Sequence, residues 1–252
     1  MDFEELKSFL DYKAELYENA SFIDNDPIQL PHRFSRKEDI EIVAFIVSQI
    51  SWGNRKSIIN SGEKIIQIME NQPYEFIINY KDYDIKNSNF VHRTFNSIDL
   101  DFFFRSLQKC YQLGNLENYF EANPEYPGIK GRIINFRSKF FNIPHEHRSQ
   151  KHLSNPLKNS ACKRLNMLLR WMVRSPKKGV DFGLWQHISP GELYLPLDVH
   201  TSKNARELTL LTRKQDDWKA LEEIMYMLKK LDAQDPVKYD FALFGLGIFE
   251  KF

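Results

Sequence analysis

Two segments carry the side chains best suited to chemistry. In the first, Ala161-Cys162-Lys163-Arg164-Leu165-Asn166-Met167-Leu168-Leu169-Arg170-Trp171, a lysine amine stands at the start of an apolar helix. The second, Leu195-Pro196-Leu197-Asp198-Val199-His200-Thr201-Ser202-Lys203, enters another helix through an Asp-x-His turn. A deprotonated lysine amine is a nucleophile that forms Schiff bases, and a fixed carboxylate stabilises positive charge developing beside it. Burial and a cationic neighbour such as Arg164 favour loss of the amine's proton. Each residue also has a plainer job open to it. Asp198 suits the N-cap of the following helix, and Lys163 suits the solvated face of a basic run. His200 suits a structural hydrogen bond, since no second histidine or carboxylate stands at ligand spacing on its helix. A metal-dependent hydrolase using Asp198 and His200 is the alternative chemistry.

The elements that must position these residues read as helices throughout. Phe3, Leu6, Leu10, Ala14 and Tyr17 recur at three- and four-residue steps. Ser35-x-x-Glu38 has the form of a capping box ahead of Ile40–Ile50, a stretch apolar nearly all round and therefore a central buried helix. An amphipathic helix follows Gly53, and another follows Asp99, a candidate N-cap. Thr212-x-x-Gln215 predicts a second capping box, with Asp216 and Asp217 in the first turn and Lys229 and Lys230 in the last. Asp235-Pro236 predicts the start of a final helix. Residues 20–34, 81–98, 123–128, 143–160 and 175–197 break the periodicity and read as connections. With no strand alternation to compete, the expected class is all-α.

A chain of 252 residues with 42% hydrophobic content buries a sizeable core. No run reaches the length of a membrane span, and Met1-Asp2-Phe3-Glu4-Glu5 is unlike a secretory leader, so a cytoplasmic protein without membrane attachment is expected. Cys110 and Cys162 are too few for a disulfide framework and read as buried small hydrophobes. The net charge of +1 conceals an asymmetry: residues 1–26 sum to −6, whereas residues 145–178 hold nine bases against Glu146 alone. Such a basic stretch is the footprint that a phosphate backbone requires, although a charge run is more often a solvated helix face. If it binds phosphates, Lys158, Arg164 and several of Arg148, Lys151, Arg170 and Arg174 should form one contiguous basic band, with the acidic N-terminal helix turned away.

Lys163-Arg164-Leu165-Asn166-Met167-Leu168-Leu169 resembles the start of the hairpin's second helix in endonuclease III-like DNA glycosylases of the helix-hairpin-helix superfamily. Asp198-x-His200-x-x-Lys203-x4-Leu208-x-Leu210 is similar to that superfamily's Asp-x-His helix entry, with lysine where arginine is usual. Phe45-Ile46-Val47-Ser48-Gln49 resembles its early Leu-Leu-Ser-x-Gln segment, and Lys238–Gly245 its last core helix. The chain as a whole also resembles a bacterial family of uncharacterised proteins marked by CKRLNMLLRWMVR and LPLDVH.

The resemblance implies a two-lobed helical fold, with residues 35–189 as a central lobe including the hairpin and residues 1–34 and 190–252 as a second lobe. It implies a base-excision DNA glycosylase with AP-lyase activity on a damaged base, an oxidised purine by preference, in double-stranded DNA. The alternative is a catalytically inactive DNA-binding protein of the same fold. Lys163 would be the nucleophile and Asp198 its electrostatic or general-base partner, close enough to flank one sugar. Gln49, Lys158, Ser160, Arg164, His200 and Lys203 would contact DNA, Gln49 filling the gap left by an extruded nucleotide. Trp52 and Trp185 are candidates for stacking on that base. A monomer without cofactor or metal is expected, since the cysteines that hold an iron–sulfur cluster in the similar enzymes are absent. Two departures stand out. The turn before Lys163, Pro156–Ala161, lacks the glycines of the usual Leu-Pro-Gly-Val-Gly hairpin. The 35-residue interval from Lys163 to Asp198 is also long, so an inserted loop within 175–196 must fold away without separating the pair.

Overall fold

A computed structural model describes residues 1–81, 85 and 88–250. The fold is all-α, its helices being α1 Phe3–Tyr17, α2 Lys37–Ile50, α3 Arg55–Ile68, α4 Pro73–Ile78, α5 Ser97–Leu113, α6 Gly128–Phe140, α7 Lys163–Val173, α8 Val199–Glu207, α9 Trp218–Leu231 and α10 Tyr239–Phe249. Short 3₁₀ turns link several of them. Residues 82–84, 86 and 87 of the expected 81–98 connection lie outside the described residues. The described remainder contains a small antiparallel hairpin, β1 Val91–His92 with β2 Phe95–Asn96. No described helix is long and apolar enough to cross a membrane.

The described chain divides into two compact units, residues 25–154 and residues 1–24 with 155–252. The segment 155–189, expected in the central lobe, therefore belongs with both termini. Its buried arginines explain why: Arg170 of α7 and Arg174, its C-cap, find their acids in the C-cap of α1, in α10 and in the loops of this unit.

In the 25–154 unit, α2 is buried along almost its whole length, as its sequence predicts. Phe45 sits among Phe103, Phe136 and Phe140 of α5 and α6, with ring centroids 5.1–5.6 Å apart. Each such enclosed side chain contributes about 1.5–3 kcal/mol. In the other unit, α10 packs on α1 and α8. The absence of a side chain at Gly245 makes room for the Tyr17 ring: a Cβ there would lie 2.1 Å from Tyr17 Cδ2.

Several helix starts differ from those expected. Arg36, not Ser35, occupies the N-cap of α2, and Glu38 pairs with Arg36 instead of closing a capping box. Asn96 is the N-cap of α5, and Asp99 completes the box from the third helical position. Thr212 gives both its N–H and its hydroxyl to Glu223, so α9 begins later, capped by Asp217. Asp235 bonds Arg174 and leaves its own turn uncapped.

Candidate active site

Lys163 is the first residue of α7, and the turn ahead of it is fixed from three sides. Asn159 and Cys162 both take left-handed backbone conformations, at φ +59° and +49°. Asparagine tolerates that region better than other non-glycine residues, which is how the turn forms without the glycines of the usual hairpin. Asn159 also donates from Nδ2 to Asp217 Oδ2 at 2.8 Å, and its carbonyl accepts from Trp218 N, pinning the turn to the start of α9. From inside α7, buried Asn166 donates to the carbonyl of Ala161 at 3.0 Å. The chain before the turn forms 3₁₀ turns at His147–His152 and Pro156–Lys158, not the α-helix of a regular hairpin; Pro156 has no N–H to continue one.

Asp198 ends the extended run Leu195-Pro196-Leu197, whose buried leucines anchor it, and forms the N-cap of α8. Its Oδ1 accepts from the N–H groups of His200 and Thr201 at 2.9 and 3.0 Å. That leaves Oδ2 to meet Lys163 Nζ at 2.9 Å. The cap and the ion pair thus use different oxygens, and the two residues singled out in the sequence meet directly. Burial raises the Asp198 carboxyl, but the Lys163 ammonium and the two N–H donors outweigh it and hold the group below the usual range. The long interval between the two residues folds onto the end of α7. Phe182 N and Trp185 N donate to the carbonyls of Trp171 and Met172 at 2.7 and 2.9 Å, capping the helix's last turn.

Behind the pair, the same helix carries two buried arginines. Arg170 bonds Asp240 of α10 through Nη1 and lies 3.3 Å from Asp181 through Nε. Arg174 binds Glu18, Asp181 and Asp235 at 2.6–3.1 Å. These arginines are 4% and 3% exposed, so they are not part of a basic surface band. Nor does the acidic N-terminal helix turn away: Glu18 and Glu15 pair with Arg174 and Lys178. Arg148 is likewise committed, bonding Asp99, Asn96 and Thr94 within the 25–154 unit.

The remaining expected contact residues divide clearly. Lys158, His200 and Lys203 are exposed near the pair in sequence, Lys203 beside Glu207 at 3.4 Å. Ser160 and Arg164 are half-buried; burial pushes the Arg164 guanidinium down to about 10, which leaves it a cation at neutral pH. Gln49 is corrected: it is wholly enclosed in α2, with Nε2 donating to Ser48 Oγ at 2.8 Å, and does not project to fill a gap in DNA. Trp185 is also corrected, being 1% exposed and part of the core instead of a stacking surface. Trp52 is half-buried in the 25–154 unit, stacked near His152 and edge-on to His92. Both cysteines are buried thiols.

Among the described residues no three of His, Cys, Asp and Glu group as metal ligands. Both Asp198 oxygens already have partners, and His200 contributes its backbone N–H to them. Sequence reasoning missed Asp240 and Asp181 as parts of this region. Asp240 lay inside a segment noticed for its resemblance alone, and Asp181 inside the loop.

No curated protein and no solved structure matches the chain. Residues 26–249 match the family described as protein of unknown function (DUF2400), and the chain belongs to that family.

Proposed function

We propose that the chain is a base-excision DNA glycosylase with AP-lyase activity, in which Lys163 is the nucleophile and Asp198 its charge partner. The observation that carries this reading is the 2.9 Å approach of Lys163 Nζ to an Asp198 oxygen left free by the helix cap. A carboxylate at that distance accepts the amine's proton. The amine then attacks C1′ of the damaged nucleotide; the C1′–N bond to the base breaks, and the base leaves with the electron pair and takes up the proton that Asp198 had accepted, which returns Asp198 to its ionised form. Negative charge on Asp198 stabilises the oxocarbenium character that develops on the sugar. Ring opening, with a proton passing to O4′, yields the imine, and loss of a C2′ proton expels the 3′ phosphate. Exposed Lys158, His200 and Lys203 are the groups through which this face would hold duplex DNA, with Arg164 and Ser160 at the start of α7. An oxidised purine is the preferred lesion class, since a lysine nucleophile implies a bifunctional enzyme.

Borohydride reduction tests the reading. The parent protein, incubated with duplex DNA carrying an abasic site, is expected to form a reduced covalent adduct that peptide mapping assigns to Lys163, and Lys163→Ala is expected to form none. An undiminished adduct in Lys163→Ala, or none in the parent, overturns the proposal.

A further inference from the structure

α7 and its C-cap present three cations in succession, Lys163, Arg170 and Arg174, to five carboxylates: Asp198, Asp240, Asp181, Glu18 and Asp235. A surplus of two negative charges in a largely buried cluster is expensive, so the least supported carboxylate is the one that takes up a proton most readily as pH falls. Hydrogen bonding and ion pairing identify which one that is. Asp198 has Lys163 and two N–H donors, Glu18 and Asp235 each take two bonds from Arg174, and Asp181 bridges both arginines. Asp181 and Asp240 each accept a hydrogen bond from an arginine, but Asp181 is paired with two arginines, whereas Asp240, its side chain 9% exposed, is paired among the described residues with Arg170.

We propose that Asp240 is a positioning residue of the Lys163–Asp198 pair: by taking up or releasing a proton it changes the charge the pair feels, and so sets how readily Lys163 gives up its own proton. This rests on the reading of Lys163 as the nucleophile. The coupling runs both ways. Burial pushes the Asp240 carboxyl up to about 6 against the pull of Arg170, with Asp198 raising it further and Lys163 lowering it. Whatever Lys163 and Asp198 do to Asp240, Asp240 does to them in equal measure. Charged groups on the neighbouring elements are engaged elsewhere. On α1, Asp11 meets Lys238 and Tyr239, Lys13 meets Glu250, and Glu18 meets Arg174. On α8, Lys203 meets Glu207. Ahead of α10, Lys238 meets Asp11 and Asp232, and Asp235 meets Arg174. The charges with the largest effect on Asp240 are those of Arg170, Asp198 and Lys163.

The test needs no DNA. Reductive methylation of the folded protein by formaldehyde and cyanoborohydride, followed by peptide mass spectrometry, reads the fraction of Lys163 amine free to react as pH rises. Asp240→Asn removes the charge while keeping an oxygen for Arg170, and its Lys163 profile is expected to move about one pH unit to lower pH. Asp240→Glu, which restores the charge, is expected to follow the parent, with exposed Lys158 and Lys177 as unmoved internal references. An Asp240→Asn profile that overlays the parent overturns the proposal. Carboxyl ¹³C NMR of the parent provides a second arm that survives misfolding of either variant. Asp240 is expected to protonate as pH falls through about 6; a carboxylate that stays ionised down to about pH 4, as an ordinary aspartate does, also overturns it. Loss of the borohydride adduct on DNA with the methylation shift intact would instead count against the glycosylase reading alone.

Discussion

Replacing Asp198 with asparagine separates the two tasks of its carboxylate. Oδ1 holds the first turn of α8 through two N–H donors, and Oδ2 faces Lys163. Asparagine keeps an acceptor oxygen and caps nearly as well as aspartate, so the cap loses about a few tenths of a kcal/mol. The ion pair is partly exposed, 36% at the lysine side chain and 22% at the aspartate. Solvent screening limits such a pair to about 0.5–1 kcal/mol. Asp198→Asn should therefore lower the free energy of unfolding by about 1 kcal/mol, and Asp198→Ala, which also discards the cap, by about 2 kcal/mol. Catalysis should respond on a different scale. Removing a preorganised charge from a developing one costs about 3–4 kcal/mol, or about 10²–10³-fold in rate. Urea unfolding gives the first quantity. Single-turnover base release gives the second, on whichever duplex the parent cleaves in a panel bearing single defined lesions. If Asp198→Asn releases that base at the parent's rate, Asp198 is only a cap and the reasoning fails.

The buried ion pairs supply the remaining predictions. Arg174→Met leaves Glu18, Asp181 and Asp235 without their common cation and is expected to cost about 3–5 kcal/mol in urea unfolding, without changing the salt dependence of DNA binding in protein that stays folded. A stable Arg174→Met with a shallower salt slope would return Arg174 to the DNA-binding surface. In the 25–154 unit, burial would raise the Asp99 carboxyl, but His152 at 3.1 Å, Ser149 Oγ and Asn96 N–H hold it at about 2. Asp99 binds its proton more weakly folded than unfolded, so its contribution of about 2–3 kcal/mol is fully present above about pH 4 and is lost as pH falls toward about 2. Urea midpoints measured across that window should fall less steeply in Asp99→Asn, and parallel curves would refute the assignment.

What the sequence made legible was local. Lys163 and Asp198 could be paired because each stands at a helix start with a recognisable run behind it, and helix starts are written in a few adjacent residues. The stripe Leu6, Leu10 and Ala14 on α1 and the all-round apolar α2 were readable for the same reason. Even where capping boxes were misplaced, at Ser35 and Thr212, the helices themselves lay close to their expected places, since tertiary partners took only the capping side chains. The glycine-free turn was harder, because a left-handed asparagine at position 159 has no pattern until its contact with Asp217 is seen.

Charge was legible only as a sum along the chain, and that is why the basic stretch misled. Residues 1–26 and 145–178 look like an acidic arm and a basic arm that ought to repel and attract different things. Folding instead sets Glu15 and Glu18 against Lys178 and Arg174 across more than 150 positions of sequence. Periodicity places Lys163, Arg170 and Arg174 on one face of α7, and a basic stripe on an amphipathic helix reads as solvent-facing by default. The acids that bury two of the three come from α1, α10 and two loops, at separations no window detects. What remains exposed of the +8 is a handful of lysines, Lys158 among them, close in sequence to Lys163. A few scattered exposed lysines and a buried acid-rich network suit a site whose task is to manage one lysine's proton better than they suit a protein that holds DNA by charge alone. Lys163 can therefore be tuned through Asp240, a carboxylate whose own side chain is only 9% exposed.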